Sequence, residues 1–299
     1  MAPLVLVRYG ELALKSPPVR REFEGALRRN ILDQFVRESL PARLRSDHGH
    51  LYVEVEDAGR AIRILRRVFG ITSVSEVEEV PTDRDTIRDR LLERAASRLH
   101  PGARFAVRAR RTGQHAFTSQ ELARDLGGDV LERFADRELK VDLEHPDVEL
   151  FVEVRGPRTY LYFDRAAGPG GIPLGVAGRL VALVDGPRGA LGAYLMMKRG
   201  CRVGLVAVPA GEALARTVLA RFDPHARVES SSAEPTERES SLRSLADASH
   251  ADGAVLPLSV DEYASAKERW GDRVLFSPTV GLSDGEVDAR WHAVEELAL

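Results

Sequence analysis

Residues 168–203 constrain the fold more than any other part of this chain. An apolar run at residues 180–184 is followed by a turn rich in glycine and proline, and then by a helical pattern over residues 191–199. Gly200 ends that helix, and a second apolar run begins near Val203. This order of strand, glycine turn, helix and strand predicts the entry into a Rossmann-like domain with a parallel sheet.

The turn at residues 185–190 decides whether such a domain can hold a nucleotide. A turn followed by a helix N-terminus can cradle a phosphate, because free backbone N–H groups point at the anion. Here Pro187 has no N–H to donate, and the carboxylate of Asp185 would repel a phosphate. We therefore expect a degenerate nucleotide site that consists of Leu183, Val184, Asp185, Gly186 and Arg188.

The composition limits which partners are plausible. The 299 residues carry 43 lysines and arginines against 46 aspartates and glutamates, which gives a formal charge of −3 at pH 7. This balance argues against indiscriminate nucleic-acid binding, so such binding has to come from local basic surfaces. No apolar run approaches the roughly 20 residues of a membrane span, and the start MAPLVLVRYG shows no cleavable signal. We therefore expect a cytoplasmic protein without a membrane partner.

Cys201 is the only cysteine of the chain. One cysteine excludes an intramolecular disulfide and a cysteine-rich zinc site. It stands at the start of the second apolar run, and free cysteine behaves as a small hydrophobic residue. We predict that it is a buried thiol and not a nucleophile.

Hydrophobic periodicity divides the chain into three α/β segments. Residues 1–80 alternate strand, helix, strand, helix and strand, which predicts a small ferredoxin-like domain. Residues 81–165 continue with a helix, a strand, a second helix and a hairpin. Residues 166–178 form a connector, and residues 179–299 form a reduced Rossmann-like domain. Within it, residues 229–240 are polar and serine-rich and are interpreted as a mobile loop.

The best candidate for RNA binding is the strand predicted at residues 104–110. Apolar residues alternate there with arginines, so Arg108 and Arg110 share one face, and Arg111 follows beside a glycine turn. Guanidinium groups bind phosphates bidentately and stack on unpaired bases, and His115 adds a further ring. The alternative is a solvated polar face whose arginines pair with nearby acids.

A second basic patch, formed by Lys15, Arg20 and Arg21, stands at the start of a predicted helix. Cations oppose the helix dipole at that end, which favours an external anion such as an RNA backbone as their partner. The alternative is a tolerated surface charge with no ligand.

Gly127 and Gly128 interrupt another predicted helix, at a cost of up to about 1 kcal/mol each. Two interpretations explain such a pair: close packing of the helix against a neighbour, or approach of its backbone to a ligand. We favour close packing.

Long segments of the chain resemble the tRNA 4-thiouridine synthetases. VRYGELALKSPPVRREFEGALRRNI at residues 7–31 is similar to the opening of that family. FAVRARRTGQHAFTSQELARDLGGDVLERF at residues 105–134 and HPDVELFVEVRGPRTYLYF at residues 145–163 resemble its THUMP domain. GGIPLG, the turn at residues 185–190 and YLMMKRGC resemble its PP-loop pyrophosphatase domain. The resemblance implies a ferredoxin-like, a THUMP and a PP-loop domain in that order, and binding of the tRNA acceptor end.

The resemblance breaks down at the PP-loop itself, which reads Ser-Gly-Gly-x-Asp-Ser in the family and holds the ATP pyrophosphate. Aligned through YLMMKRGC, this chain is one residue short across the turn, and Gly186 is the position that matches. The aspartate of the motif falls at Arg188 or Gly189, and the second serine falls at Gly189 or Ala190. Asp185 stands where a phosphate-binding hydroxyl is expected.

Three functions are compatible with this sequence. The first is a tRNA-binding protein whose PP-loop does not adenylate uridine and which needs no cofactor. The second is a functional ATP-dependent tRNA sulfurtransferase that makes 4-thiouridine. The third is an interaction protein whose last domain recruits a partner such as a catalytic paralogue. Formation of a homodimer is also compatible with the sequence. We favour the first, because of the altered turn.

Overall fold

The computed structural model describes residues 3–10, 16–47, 50–271 and 273–299, and the structural statements below refer to these ranges. The first part of the chain alternates strands and helices. In order they are β1 (Leu4–Tyr9), α1 (Pro17–Arg37), β2 (Ala42–Asp47), β3 (His50–Val55), α2 (Ala58–Leu65), β4 (Ile71–Pro81), α3 (Arg84–Ala95), β5 (Arg104–Thr112), α4 (Ser119–Arg133), β6 (Lys140–Val141), β7 (Val148–Arg155), β8 (Arg158–Tyr162) and β9 (Ala166–Ala167). A 3₁₀ turn, Ala135–Arg137, follows α4.

These strands form one sheet in the order β2-β3-β1-β4-β8-β7-β5-β6, and β9 pairs with β4. β7 is antiparallel to β8 and parallel to β5. The short strand β6 pairs with Arg104 and Phe105. Within the described ranges, β5 is therefore the edge of the sheet from Val107 onward.

The second part of the chain builds a parallel sheet. Its elements are β10 (Arg179–Val184), α5 (Pro187–Lys198), β11 (Arg202–Ala207), a π-helical segment (Leu214–Leu219) that continues into α6 (Ala220–Phe222), β12 (Val228–Ser230), α7 (Pro235–Ser249), β13 (Gly253–Val255), α8 (Val260–Trp270), β14 (Val274–Phe276) and α9 (Asp284–Ala298). The strand order is β12-β11-β10-β13-β14 and every pairing is parallel. This is the Rossmann-like order, whose ligand crevice lies at the carboxyl ends where the order reverses, between β10 and β13. The predicted mixed α/β fold class is confirmed.

Contacts divide the chain into two compact units that do not follow chain order. One unit combines Met1–Val7, Arg43–Gly59 and Ser75–Ala166, and the other combines Arg8–Ala42, Arg60–Val74 and Ala167–Leu299. The second unit thus contains α1 together with the parallel sheet.

Polar contacts hold α1 in that second unit. The Asn30 side-chain amide donates to Leu174 O at 3.1 Å, and the Gln34 amide donates to Arg221 O at 2.7 Å. Asn30 and Gln34 are both buried, so leaving either amide unpaired would cost about 1–3 kcal/mol.

Strand β10 shows why the parallel sheet is stable. Leu180, Ala182 and Val184 pack into the apolar cluster beside α5 and α9, whereas Val181 and Leu183 pack into a cluster with α7 and α8. Successive side chains of a strand point to opposite faces, so both faces of the sheet are covered. A strand buried on both faces needs the continuous apolar run that the sequence shows.

Two predictions about local structure are wrong. The helix expected at residues 191–199 begins a turn earlier, because Pro187 occupies the first turn of α5, where a missing N–H costs nothing. The segment interpreted as a mobile loop, residues 229–240, contains β12 and the first turns of α7. Pro235 starts α7 in the same way, and its continuation buries Leu242 and Leu245.

The close packing predicted for Gly127 and Gly128 is also wrong. A Cβ atom built on either residue meets nothing within 4 Å. Both glycines lie inside α4, so each lowers helix stability without a packing reason on the described surface.

No helix within the described ranges combines the length and the apolar character that crossing a membrane requires.

Candidate nucleic-acid interface and nucleotide site

Arg108 is tied to its neighbours by charge-assisted hydrogen bonds. Its Nε donates to Glu149 Oε1 at 2.8 Å, and its Nη2 donates to Leu143 O at 2.7 Å. Glu149 lies on β7, the strand next to β5. The alternative interpretation, in which arginines of this face pair with nearby acids, therefore describes Arg108.

Arg110, two residues further along the same face, is exposed and its guanidinium forms no hydrogen bond or ion pair with any residue in the described ranges. Arg111 is exposed as well, and its Nη1 donates to Gly113 O at 3.0 Å. Gly113 has φ +100, a conformation that side chains rarely adopt, so the turn after β5 depends on glycine. Arg110 is thus a cation available to an external anion.

His115 contributes to the order of the same turn. Its Nε2 lies 3.1 Å from Thr112 O, and its ring stacks on Phe117 with centroids 5.7 Å apart. Phe117 is buried in the apolar core under α4. The Arg84 guanidinium lies 5.4 Å from the centre of the Phe117 ring. The imidazole is half-buried, and it is not among the residues that line the groove beside β5.

A groove of about 560 Å³ runs beside Arg108 and Arg110. Phe151 and Tyr162 stack in it with centroids 4.7 Å apart and planes 7° apart, and the guanidinium of Arg165 lies 5.8 Å from the Phe151 ring centre. Sequence reasoning did not include Phe151 or Arg165 in the candidate site. Their proximity to Arg110 depends on the pairing of β7 with β5 and β8, which no local pattern reveals.

The second predicted patch is only partly within the described residues, since Lys15 lies outside them. Arg20 donates from Nε to Glu24 Oε1 at 2.8 Å, and the Tyr9 hydroxyl donates to the same carboxylate at 3.0 Å. Burial and the Glu24 carboxylate raise the pKa of Tyr9 to about 12. Arg21 is exposed and has no side-chain partner among the described residues. Of the two arginines of this patch, both within the described residues, Arg21 is the one free to meet an anion.

The predicted nucleotide site lies at the carboxyl end of β10. Leu183 and Val184 are buried strand residues, and Gly186 precedes the first turn of α5. Asp185 is half-buried at this turn, and burial raises the pKa of its carboxyl group, an effect that hydrogen bonding to its own backbone and the charge of Arg238 offset only in part. A carboxylate therefore occupies the start of the helix, where a bound phosphate would need positive potential.

Gly189 shows that the altered turn is built into the packing. A Cβ atom on Gly189 would stand 2.4 Å from Leu183 O and 2.8 Å from Asp185 Oδ1. A serine cannot take this place unless the helix moves away from the strand. Ala190, the other position aligned with the second serine of the PP-loop, is completely buried. The residues present therefore do not fit a pyrophosphate held in the manner of the PP-loop.

Arg188 is directed away from the turn. Its Nη1 donates to Thr279 O at 2.9 Å, and its Nη2 donates to Leu282 O at 2.8 Å. These bonds connect the first turn of α5 to the segment that precedes α9. The same guanidinium pairs with Asp284 at the start of α9, so every acceptor of Arg188 lies in that segment or at the helix start, and the side chain has a structural role.

The hydroxyls at the carboxyl end of β12 are engaged with one another and with side chains. Ser231 Oγ lies 3.1 Å from Ser241 Oγ, and Ser230 Oγ donates to Glu212 Oε1 at 2.8 Å. The serine-rich segment that the sequence placed in a loop thus reaches the same edge of the sheet as Asp185, but its hydroxyls have protein partners.

Cys201 is buried, as predicted, and it precedes β11 at the amino end of the parallel sheet. Its Sγ donates to Ala177 O at 3.3 Å. Burial, with a smaller contribution from Asp252, raises the pKa of the thiol. Asp185 lies at the carboxyl end of the parallel neighbour β10, about 20 Å away at roughly 3.3 Å per strand residue. The thiol is therefore remote from the predicted nucleotide site.

Comparisons with known proteins agree with this architecture. A family model described as the ThiI ferredoxin-like domain matches residues 4–75, and a model of the THUMP domain matches residues 81–164. A curated protein of Methanothermobacter thermautotrophicus named "Probable tRNA sulfurtransferase" is 42% identical over 206 residues, which cover 67% of this chain and 51% of that protein. The chain thus spans about half the length of the curated relatives that it matches.

Two solved structures resemble the whole chain. The protein PH1313 of Pyrococcus horikoshii is 26% identical with a TM-score of 0.79, and the match covers 99% of this chain and 100% of that one. A 4-thiouridine synthetase, solved as a complex with RNA and bound ATP, is 22% identical with a TM-score of 0.80 and matches 100% of this chain and 87% of its own. The second likeness concerns the fold alone.

The fold and these matches define a protein that joins a ferredoxin-like domain and a THUMP domain to a Rossmann-like domain. The two family models together match more than half of the chain. The chain belongs to the 4-thiouridine synthetase (ThiI) family, as its sequence motifs predicted.

Proposed function

We propose that this chain is a cytoplasmic tRNA-binding protein of the 4-thiouridine synthetase family that does not adenylate uridine. The observation that carries the proposal is the turn after β10, where the Asp185 carboxylate stands at the helix start and the Gly189 position has no room for a side chain. Adenylation needs donors arranged around the pyrophosphate leaving group, and this turn instead presents a carboxylate.

Binding of tRNA rests on the groove beside β5. Arg110 supplies an unpaired guanidinium, and next to it lies the partly exposed ring of Phe151, which is stacked on the buried Tyr162. Unpaired bases can splay onto aromatic and guanidinium planes, whereas paired bases cannot. We therefore propose that the groove takes the single-stranded acceptor end of tRNA. The THUMP match and the naming of relatives as tRNA sulfurtransferases support this choice of RNA.

The second candidate function is an ATP-dependent tRNA sulfurtransferase, with ATP as its cofactor. It is supported by the position of α5, whose first turn begins at the point where the strand order reverses, the usual ligand crevice of such sheets. Under this function the turn after β10 would rearrange when ATP binds. A partner-recruiting role, through a homodimer or a catalytic paralogue, is compatible with either function.

Two measurements test the proposal. Fluorescence anisotropy with a labelled tRNA transcript should show micromolar or tighter binding at low salt, and affinity should fall steeply as salt rises because phosphate neutralisation releases counterions. A transcript that lacks the 3′ single-stranded tail should bind more weakly. Isothermal titration with ATP should show no binding. Equal affinity for trimmed and intact tRNA would contradict the acceptor-end assignment, and tight ATP binding would favour the second candidate.

A further inference from the structure

A rigid corner forms where the connector before β10 meets the C-terminal end of α5. Ile172 N donates to Lys198 O at 3.1 Å, and Gly175 N and Ala177 N donate to Gly200 O at 2.8 Å and 3.2 Å. Through these bonds the GGIPLG segment of the connector pairs with backbone carbonyls of the KRGC segment at the end of α5.

Gly171 allows the connector to approach the helix closely. Its φ is +73, and a Cβ atom on it would stand 2.2 Å from Lys198 O. Any side chain there would separate the connector from α5. Backbone contacts therefore fix the connector against α5, and they hold the side chains of both segments in place around the corner.

A groove of about 440 Å³ opens at this corner. It shares no lining residue with the groove beside Arg108 and Arg110. Its apolar part consists of four partly exposed residues, Ile172, Leu195, Met196 and Pro278. Partly exposed apolar side chains around one cavity provide a surface for a flat, weakly polar group such as a base or a ribose.

Two cations complete the groove, and both are unpaired. Neither Lys198 nor Arg199 forms a side-chain hydrogen bond or ion pair with a residue of the described ranges, and the groove lining contains no carboxylate there. In a chain with more acidic than basic residues, such an acid-free site favours an anionic ligand.

We propose that this groove is a second RNA-contact surface, which binds one nucleotide with its phosphate on Lys198 and Arg199 and its base or ribose on Leu195 and Met196. The inference rests on the proposed tRNA binding and extends it to the unit that contains the parallel sheet. Lysine and arginine neutralise phosphates, and apolar side chains support bases without reading their identity. The alternative ligand, an acidic helical peptide, needs apolar anchors over two helical turns, which is more than this groove offers.

The test compares two variants that lower the net charge equally. The double variant Lys198→Ala/Arg199→Ala removes both cations of the groove, and Arg290→Glu changes an exposed arginine of α9. Anisotropy with an intact tRNA transcript should show affinity three- to tenfold lower for the double variant, and a slope of log K against log salt that is smaller by one to two. Arg290→Glu should stay within twofold of the parent. Unfolding curves of all three proteins establish that each is folded.

The outcomes separate this inference from the proposed function. If the double variant binds like the parent while an Arg110→Ala variant loses affinity, the groove is not an RNA contact and the proposed function stands. If the parent itself does not bind tRNA, the proposed function fails. An equal loss of affinity in Arg290→Glu would show a general charge effect and would overturn the groove assignment.

As a second readout, a photocrosslinker attached at Met196→Cys should label RNA, and labelling of protein alone would favour a peptide ligand.

Discussion

The guanidinium of Arg188 reaches Asp284 at the first residue of α9, with Nη2 and Oδ1 2.8 Å apart. Asp284 is 95% exposed, so this ion pair adds little stability. The bonds from Arg188 to the carbonyls of Thr279 and Leu282 matter more, because they pair backbone groups of the segment before α9. A residue aligned with the acidic position of the PP-loop thus links two helices of the Rossmann-like domain.

The close contact of α5 with β10 predicts the effect of a small substitution. Gly189→Ala should destabilise the protein by about 1–3 kcal/mol, because its Cβ would stand 2.4 Å from Leu183 O and the helix would have to shift. Urea unfolding measures the change. Gly285→Ala in the first turn of α9 is the control, since a Cβ there meets nothing within 4 Å. Equal stability of the two variants would contradict this account.

The glycine pair of α4 predicts the opposite effect. Gly127→Ala and Gly128→Ala should each stabilise the protein by about 0.5–1 kcal/mol, because alanine is the better helix former and neither Cβ meets a neighbour. Thermal unfolding of the single and double variants checks this. A loss of stability would show that something packs on this face of α4. If stability rises while tRNA affinity falls, the glycines serve the approach of a ligand backbone.

The sequence predicted the parts of the fold that depend on local patterns. The apolar run of β10 and the alternation of Phe105 and Val107 with arginines in β5 both repeat within a few residues, and both strands are present. The start of α7 was missed because Pro235 follows a polar serine-rich segment, and polarity was interpreted as disorder. In the structure the polar residues of the first turn of α7 are exposed or partly exposed, while Leu242 and Leu245 further along the helix cover the sheet.

The candidate RNA groove was predicted only in part. Arg108 and Arg110 were found from their spacing in one strand, but the spacing does not reveal that Glu149 engages Arg108 and leaves Arg110 free. Phe151 was missed for the same reason, since it joins the site through the pairing of β7 with β5. Partners on neighbouring strands depend on how those strands pair and in which register, which the pattern within a single strand does not reveal.

The difference between the two arginines of β5 predicts unequal effects on RNA binding. Arg110→Ala should weaken tRNA binding by about tenfold, since a charge-assisted hydrogen bond is worth about 1.5–3 kcal/mol before solvent screening. Arg108→Ala should weaken binding less, because Glu149 and Leu143 O already engage that side chain. The triple variant with Arg111 should lose most of the affinity. Anisotropy at constant salt measures each.

A matched control keeps this prediction specific. Arg88→Ala removes a partly exposed arginine of α3 that pairs with Asp85 and Asp89, away from the groove lining. Its affinity should match that of the parent. Parent-like binding by the triple variant would show that the RNA surface lies elsewhere.

The pairing of Asp147 with Arg104 predicts a pH dependence. Hydrogen bonds from the Arg104 side chain and backbone lower the pKa of Asp147 to about 2 from its ordinary value of 3.8. A depressed pKa stabilises the folded state above the unfolded pKa, and this stabilisation is lost as pH falls from about 3.8 towards about 2. Asp147→Asn should therefore lower Tm at pH 6 and lower it less near pH 3. Asp136→Asn, at an exposed carboxylate with no side-chain partner among the described residues, is the control, and equal pH profiles would refute the assignment.

The altered turn after β10 predicts the absence of thiolation. Preorganised donors around a developing charge are commonly worth about 3–4 kcal/mol each, so the loss of two or three slows a reaction by several orders of magnitude. Here Pro187 lacks an N–H, Asp185 places a carboxylate at the helix start, and Gly189 cannot accept a serine without displacing α5. The only thiol, Cys201, is buried at the other end of the sheet. Purified protein supplied with ATP, a sulfur donor and unmodified tRNA should form no 4-thiouridine detectable by nucleoside mass spectrometry. Asp185→Ser should not restore activity, because the Gly189 position still has no room for the second hydroxyl. Product formation by the unaltered chain at a rate ordinary for an enzyme, about 1 s⁻¹ or faster, would establish the ATP-dependent sulfurtransferase as its function.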